Sequence, residues 1–222
     1  MRIIWRAFWG FLAFQAVVVF LIAFMNPPAN FYMVKERLRL GEIKREWVDL
    51  DDMSEHLPRA VIAAEDAGFC AHWGFELEAI RDAVTSGGSR LRGASTITQQ
   101  VAKNVFLWPA RSWLRKALEA EMTVFIEILW SKRRIIEVYL NVAEFDEGVF
   151  GVGAAGPHYF GVSAGELSLV QAGRLAAVLP NPKQRSASSP TENLRQRTAQ
   201  IMDGARTIAV DGRADCVAKP KD

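Results

Sequence analysis

Residues 7–25 form an apolar run of nineteen positions without a charge. As a helix rising 1.5 Å per residue the run extends roughly 28 Å, about one hydrocarbon core. It exceeds the apolar stretch of a cleaved signal peptide, and Met25-Asn26-Pro27-Pro28 comes after it instead of a small-residue cleavage site. It is therefore read as an uncleaved transmembrane anchor. Beyond it, helical periodicity dominates. Leu114, Leu118, Met122, Phe125 and Leu129 recur at intervals of four, four, three and four, and residues 135–142 continue the pattern. Pro58 is expected as the first residue of a helix over the apolar residues 60–64. Further helices are expected over 76–84 and over 167–179, the latter stopped by Pro180-Asn181-Pro182, with 86–89 as a flexible loop. No Val- and Ile-rich alternating strand competes with this pattern, so the chain is expected to be mainly α.

The pattern predicts five parts: a short cytoplasmic tail (1–6), the anchor (7–25), a juxtamembrane segment (26–56), one folded domain (57–210) and a frayed tail (211–222). Arg2 and Arg6 precede the span, whereas the first charge after it is Lys35, which favours an internal N-terminus. Residues 31–40 mix apolar and basic side chains closely enough to lie along phospholipid headgroups, though a plain charged helix fits them equally.

With 222 residues, one domain beside the anchor buries a full core without staples. The 27 Lys and Arg against 25 Asp and Glu leave a net charge of only +2, which argues against nucleic acid as a partner. Any basic site must be local. Cys70 and Cys216 are the only cysteines, and they fit neither a disulfide framework nor a zinc pattern, so free thiols and a single bridge stay open. Cys70 and His72 lack further ligand-spaced partners, and no structural metal is expected.

Glu65-Asp66 ends the apolar run 60–64, with His72 seven residues beyond Glu65. A carboxylate leaving an apolar surround is suited to proton transfer near neutral pH. A surface pair capping a turn is the alternative. Gly93-Ala94-Ser95-Thr96 then leads into a helix bearing Gln99, Gln100, Lys103 and Asn104 about one turn apart, a face able to hydrogen-bond sugar or phosphate, while the hydroxyls also suit plain helix capping. Arg111, Arg115 and Lys116, with Glu119 one turn on, form a second basic cluster beside Trp108, Pro109 and Trp113. Cations beside aromatic groups suit a lipid-linked phosphate at a membrane, and i to i+4 salt bridges on a solvated helix are the plainer reading. Gly151-x-Gly153-x-x-Gly156 matches a dinucleotide fingerprint by letters, but no strand is expected before it and no acid closes a second strand, so close helix packing is the better reading.

Four of these motifs fall in a fixed order: Glu65-Asp66-x-x-Phe69-x-x-His72-x-Gly74, Gly93-x-Ser95-Thr96-Ile97-Thr98-Gln99-Gln100, Arg115-Lys116-x-x-Glu119 and Lys132-x-x-Ile135-x-Glu137-x-Tyr139-Leu140-Asn141. In this the chain resembles the peptidoglycan glycosyltransferases, most closely the monofunctional biosynthetic transglycosylase branch, whose module also forms the first half of class A penicillin-binding proteins. The likeness runs from about residue 57 to residue 190.

The resemblance implies a lysozyme-like glycosyltransferase domain on a single-pass inner-membrane anchor, facing the periplasm and polymerising lipid II into linear glycan strands with release of undecaprenyl pyrophosphate. It implies Glu65 as the base that deprotonates the acceptor 4-hydroxyl and Glu119 as a second carboxylate assisting departure of the donor. Lys103, Arg111, Arg115 and Lys116 match positions that contact pyrophosphate, and Ser95, Thr96, Gln99 and Gln100 match positions lining the cleft. Asp66, Phe69, His72, Gly93 and Asn104 complete the expected substrate site. No tightly bound cofactor is implied, although Mg2+ or Mn2+ often accompanies the pyrophosphate in this family. Lipid II, the growing strand, membrane lipids and cell-wall synthesis or division proteins are the implied partners. Glu76 stands where the family usually has Asp, and the chain carries no transpeptidase motifs. A muramidase-like hydrolase on the same fold and a non-catalytic membrane scaffold are the alternatives; the basic clusters oppose the first, the two intact carboxylate motifs the second.

Overall fold

The computed structural model describes residues 1–76, 95–110 and 112–219. The expected 76–84 helix (beyond Glu76), the 86–89 loop, Gly93 and Arg111 lie outside the described residues. What is described is mainly helical. Helix α1 (Arg2–Phe24) is long and apolar enough to cross a membrane, and it takes Arg2 and Arg6 into its own first turns. Trp5 and Trp9 stack one turn apart beside Arg6, where amphipathic rings suit a headgroup boundary.

The anchor is joined closely to the folded body. Val19 is fully buried, and the Trp130 indole N–H donates to its carbonyl at 2.8 Å. The Arg134 guanidinium donates to the carbonyls of Ile22 and Met25 at 3.2 and 2.6 Å, satisfying acceptors that the end of a helix leaves open. Arg45 holds the carbonyls of Pro27 and Pro28 in the same way.

Helix α2 (Phe31–Leu40) starts from Asn30, whose side chain accepts from the Met33 N–H at 2.7 Å. Its basic residues suggest a place along headgroups, but Met33 and Glu36 are buried against the domain and Tyr32 packs edge-on against Phe150. Strand β1 (Lys44–Arg45) likewise joins a three-stranded sheet in the order β1-β3-β2, parallel to β3 (Val149–Phe150), which in turn is antiparallel to β2 (Glu144–Asp146). Leu50 and Met53 also enter the core. The folded unit therefore begins well before residue 57, because these segments carry apolar side chains that the rest of the domain covers.

Two helical clusters make the body. In the first, α3 (His56–Glu65) packs with α8 (Leu169–Val178) and α9 (Glu192–Val210). Small residues set their spacing: a Cβ on Gly173 would meet Met202 and Thr198 at 3.1 and 3.2 Å, and one on Gly204 would meet Ala63 at 3.1 Å. In the second, α4 (Ile97–Phe106) packs against α5 (Trp113–Leu129) and α6 (Lys132–Val142), with α1 along α5. The periodic run of apolar residues is split where α5 ends at Trp130 and Ser131 caps α6. Each fully buried Leu, Ile or Phe in these seams stabilises the fold by about 1.5–3 kcal/mol.

The glycine motif opens helix α7 (Val152–Phe160). A strand does precede it, contrary to expectation, but β3 is only two residues long and the glycines serve close approach: Cβ atoms on Gly153 and Gly156 would lie 2.5 and 2.8 Å from the carbonyl oxygens of Glu46 and Val162. The last segment is also not a frayed end as far as residue 219. Cys216 is bridged to Cys70, and Arg133 donates to the carbonyls of Val217 (2.9 Å) and Ala218.

Candidate active site

The site forms where the two clusters meet. Apolar α3 residues Leu57, Ala60, Val61 and Ile62 anchor the helix and leave Glu65 as its last residue, half-buried, facing α4. The Gln100 Nε2 donates to Glu65 Oε2 at 2.9 Å. Asp66 turns the other way. Its Oδ1 accepts from His72 Nε2 at 2.7 Å and its Oδ2 from the Ile97 N–H at 2.9 Å, placing a carboxylate at the N-terminus of α4 where exposed amides favour it. His72 Nδ1 accepts the Gly74 N–H at 3.1 Å, so the proton sits on Nε2.

A second layer fixes this loop. The Lys132 ammonium donates to the His72 carbonyl and to Glu127, each at 2.8 Å, and lies 4.6 Å from the centre of the Phe69 ring. Thr98 donates to the same Glu127 oxygen at 2.6 Å, and Thr96 to the Gly74 carbonyl at 2.7 Å. Gly74 has φ +75°, and a Cβ there would stand 2.5 Å from Thr123 Cγ2 and 2.9 Å from Glu127 Cγ. Gly74→Ala should therefore cost about 2–4 kcal/mol, combining left-handed strain with overpacking, and urea titration of the variant measures it.

Several of the expected site residues are engaged by the protein itself. Phe69 is fully buried, Asp66 and His72 bond each other, and Thr96 and Gln99 form a capping box on α4. Capping removes just the orphan amides that a helix start exposes, so these groups are engaged before any substrate arrives. Ser95 is exposed beside them. Gln100, Lys103 and Asn104 do share a groove face, as their spacing implies. The groove has a polar hollow of about 120 Å³ between α4, α6 and α2, lined also by Asn30, Tyr32, Tyr139 and Glu144. Beside it lies a more apolar one of about 220 Å³, which shares Tyr32, Lys103 and Asn104 and adds Leu107, Trp108 and Pro109.

Glu119 is nearly fully buried on α5 and is paired with Arg115 at 2.7 Å and with Lys116. The i to i+4 pairing left open by the sequence is thus formed, but around a buried carboxylate. Lys103 lines the groove, and partial burial of its ammonium lowers its pKa from the usual lysine range. Arg115 and Lys116 push the same way, and Glu119 and Glu65 offset part of the effect.

The family model described as Transglycosylase matches residues 33–206, most of the chain and nearly all of the folded unit. The chain belongs to the transglycosylase family. It is 53% identical over 96% of its length to the biosynthetic peptidoglycan transglycosylase of Jannaschia sp. (strain CCS1), covering 88% of that protein. It is 47% identical to the one from Pseudomonas syringae pv. syringae (strain B728a), over 95% of this chain and 93% of the other. The one from Caulobacter vibrioides is 46% identical, over 93% and 91%. This transglycosylase is thus a glycosyltransferase acting on peptidoglycan, and its match begins inside α2, in keeping with the buried face of that helix.

Tyr32, Glu127 and Glu144 carry no signal in the sequence that would mark them. Glu127 lies in a regular helical run, and Tyr32 lies in a segment whose basic residues suggest lipid. Tyr139 belongs to the last of the four motifs, and only its burial beside Gln100 shows what it touches.

Proposed function

We propose that this transglycosylase polymerises lipid II into linear glycan strands at the outer face of the inner membrane, releasing undecaprenyl pyrophosphate with inversion at the donor anomeric carbon. In this reading Glu65 takes the proton from the acceptor 4-hydroxyl. Lys103, Arg115 and Lys116, together with Arg111 from outside the described residues, hold the pyrophosphate, and Glu119 orders those cations. The observation that carries the reading is the groove itself: Gln100, which holds Glu65, shares its lining with Lys103 and Asn104, and the helix packed against theirs carries Glu119 paired with Arg115 and Lys116. An inverting displacement needs the base and the leaving-group end on opposite sides of the sugar, and cations at the leaving-group end suit a group that departs already anionic. Asn104, beside Gln100 on the same face, would meet the sugar. The apolar hollow at Trp108 and Pro109 suits the lipid.

Among the described residues no three His, Cys, Asp or Glu side chains converge to hold an ion. Mg2+ or Mn2+ therefore enters the proposal only as a companion of the substrate's pyrophosphate. The Cys70–Cys216 bridge supports a domain outside the cytoplasm, since such bonds persist in oxidising compartments, and Arg2 and Arg6 support an internal N-terminus. Division or cell-wall synthesis proteins are proposed as neighbours on the membrane only in so far as the reaction belongs there.

The test is incubation of the detergent-solubilised full chain with labelled lipid II and Mg2+. Polymer that muramidase digests supports the reading; intact lipid II, or cleavage of preformed glycan, overturns it. The pH profile adds a second check. The depressed pKa of Lys103 means that its charge is lost at lower pH than for an ordinary lysine, so kcat/KM should fall early on the alkaline side. Lys103→Arg should carry the alkaline limb upward, and Lys103→Ala should lower kcat/KM by about 10- to 100-fold, as loss of one charged hydrogen bond does.

A further inference from the structure

We infer that Tyr139 is a positioning residue for Glu65, acting through the side-chain amide of Gln100; the inference rests on the reading of Glu65 as the base. Tyr139 is buried on α6, and its hydroxyl donates to Gln100 Oε1 at 3.3 Å. The other end of the same amide donates to Glu65 Oε2 at 2.9 Å. An amide can turn over and exchange its two ends. A phenol O–H fixed on one side selects the oxygen, which leaves the N–H2 for the carboxylate. Had the amide turned, its oxygen would face Glu65 and repel it.

The donor role is secure across the working range. Burial, and then the negative charges of Glu65 and Asp66, push the Tyr139 hydroxyl well above the usual phenol range, so it stays a donor. Asp66 does not compete for Gln100, because both of its oxygens are engaged by His72 and Ile97. With Oε2 held, Glu65 Oε1 has no hydrogen-bond partner among the described residues and is the oxygen positioned for the acceptor. Among the described residues, the charges near this carboxylate include Lys103 on α4 and Arg197 on α9, whose guanidinium donates to the Ala64 carbonyl at 3.1 Å.

Tyr139→Phe removes only the hydroxyl and keeps the ring that fills the core. With labelled lipid II, kcat should fall about 5- to 30-fold with KM within about threefold, and the acid limb of kcat should move to higher pH as Glu65 loses its donor. Gln100→Ala should give a comparable loss, and adding Tyr139→Phe to it should lower kcat no further. A merely structural tyrosine would change the melting temperature without moving the acid limb. The inference is overturned if Tyr139→Phe keeps kcat and its acid limb, or if its loss adds in full to that of Gln100→Ala. A Glu65→Gln enzyme that polymerises within about tenfold of wild type overturns the base reading beneath it, whereas a Glu65→Gln slowed by about a hundredfold or more beside an unaffected Tyr139→Phe overturns only the role of Tyr139.

Discussion

Glu65→Gln should leave the fold intact and lower the rate of polymerisation about 10²- to 10⁴-fold, the range expected when a positioned general base is removed. The substitution is nearly isosteric. Gln100 can still donate to the new amide oxygen, so the hydrogen bond at 2.9 Å need not be lost, and a half-buried site gives up no apolar packing. Stability should therefore stay within about 0.5 kcal/mol of wild type. What disappears is the capacity to accept a proton from the acceptor hydroxyl. Pyrophosphate binding uses other groups, so lipid II should still bind, with KM or a directly measured dissociation constant changed by no more than about threefold. Glu119→Gln should behave differently: it removes the buried partner of Arg115 and Lys116, so stability and substrate affinity should both change. A Glu65→Gln protein polymerising within tenfold of wild type would move the base elsewhere on the groove.

These contrasts show what the sequence could and could not convey. Helical spacing located α5 and α6 because amphipathic periodicity is written locally, and apolar runs bounded by Pro58 and by Pro180 located α3 and α8. The motif around Glu65 pointed to the site, but it did not separate Glu65, which meets Gln100, from Asp66, which is held by His72 and Ile97. Both are carboxylates at the end of one helix. Which way each turns depends on His72 and on the first amide of α4, which lies 31 residues beyond Asp66. The role of α2 was hidden for a similar reason. Its basic residues look solvated until Glu36 is seen paired with Arg39 and with Lys183, which lies 147 residues away. Composition left the two cysteines undecided, since a single pair carries no spacing pattern.

Their bridge should matter most to stability. Cys70 lies between Asp66 and His72, and Cys216 lies in a short helical turn (Asp215–Val217). The bond spans 146 residues of sequence, and closing a loop of that size in the unfolded chain corresponds to about 5 kcal/mol in the chain-entropy account, an upper figure. Replacing both cysteines by serine should therefore destabilise the domain by roughly 2–5 kcal/mol and lower its melting temperature by about 5–20 °C. Reduction of the wild type should reproduce that shift, and the same reductant should leave the double variant unmoved. Activity should suffer below the melting transition as well. The segment that the bridge secures carries His72, whose bond to Asp66 fixes the junction between α3 and α4 where Glu65 and Gln100 meet. Arg133 holds the carbonyls of Val217 and Ala218 independently, so the reduced chain should keep its last segment near the body, and the loss of turnover should be partial. Thiol counting on the unreduced, unfolded protein is the direct check: no reactive thiol is expected, and two would remove both the stabilising bridge and the support it lends to an extracytoplasmic domain.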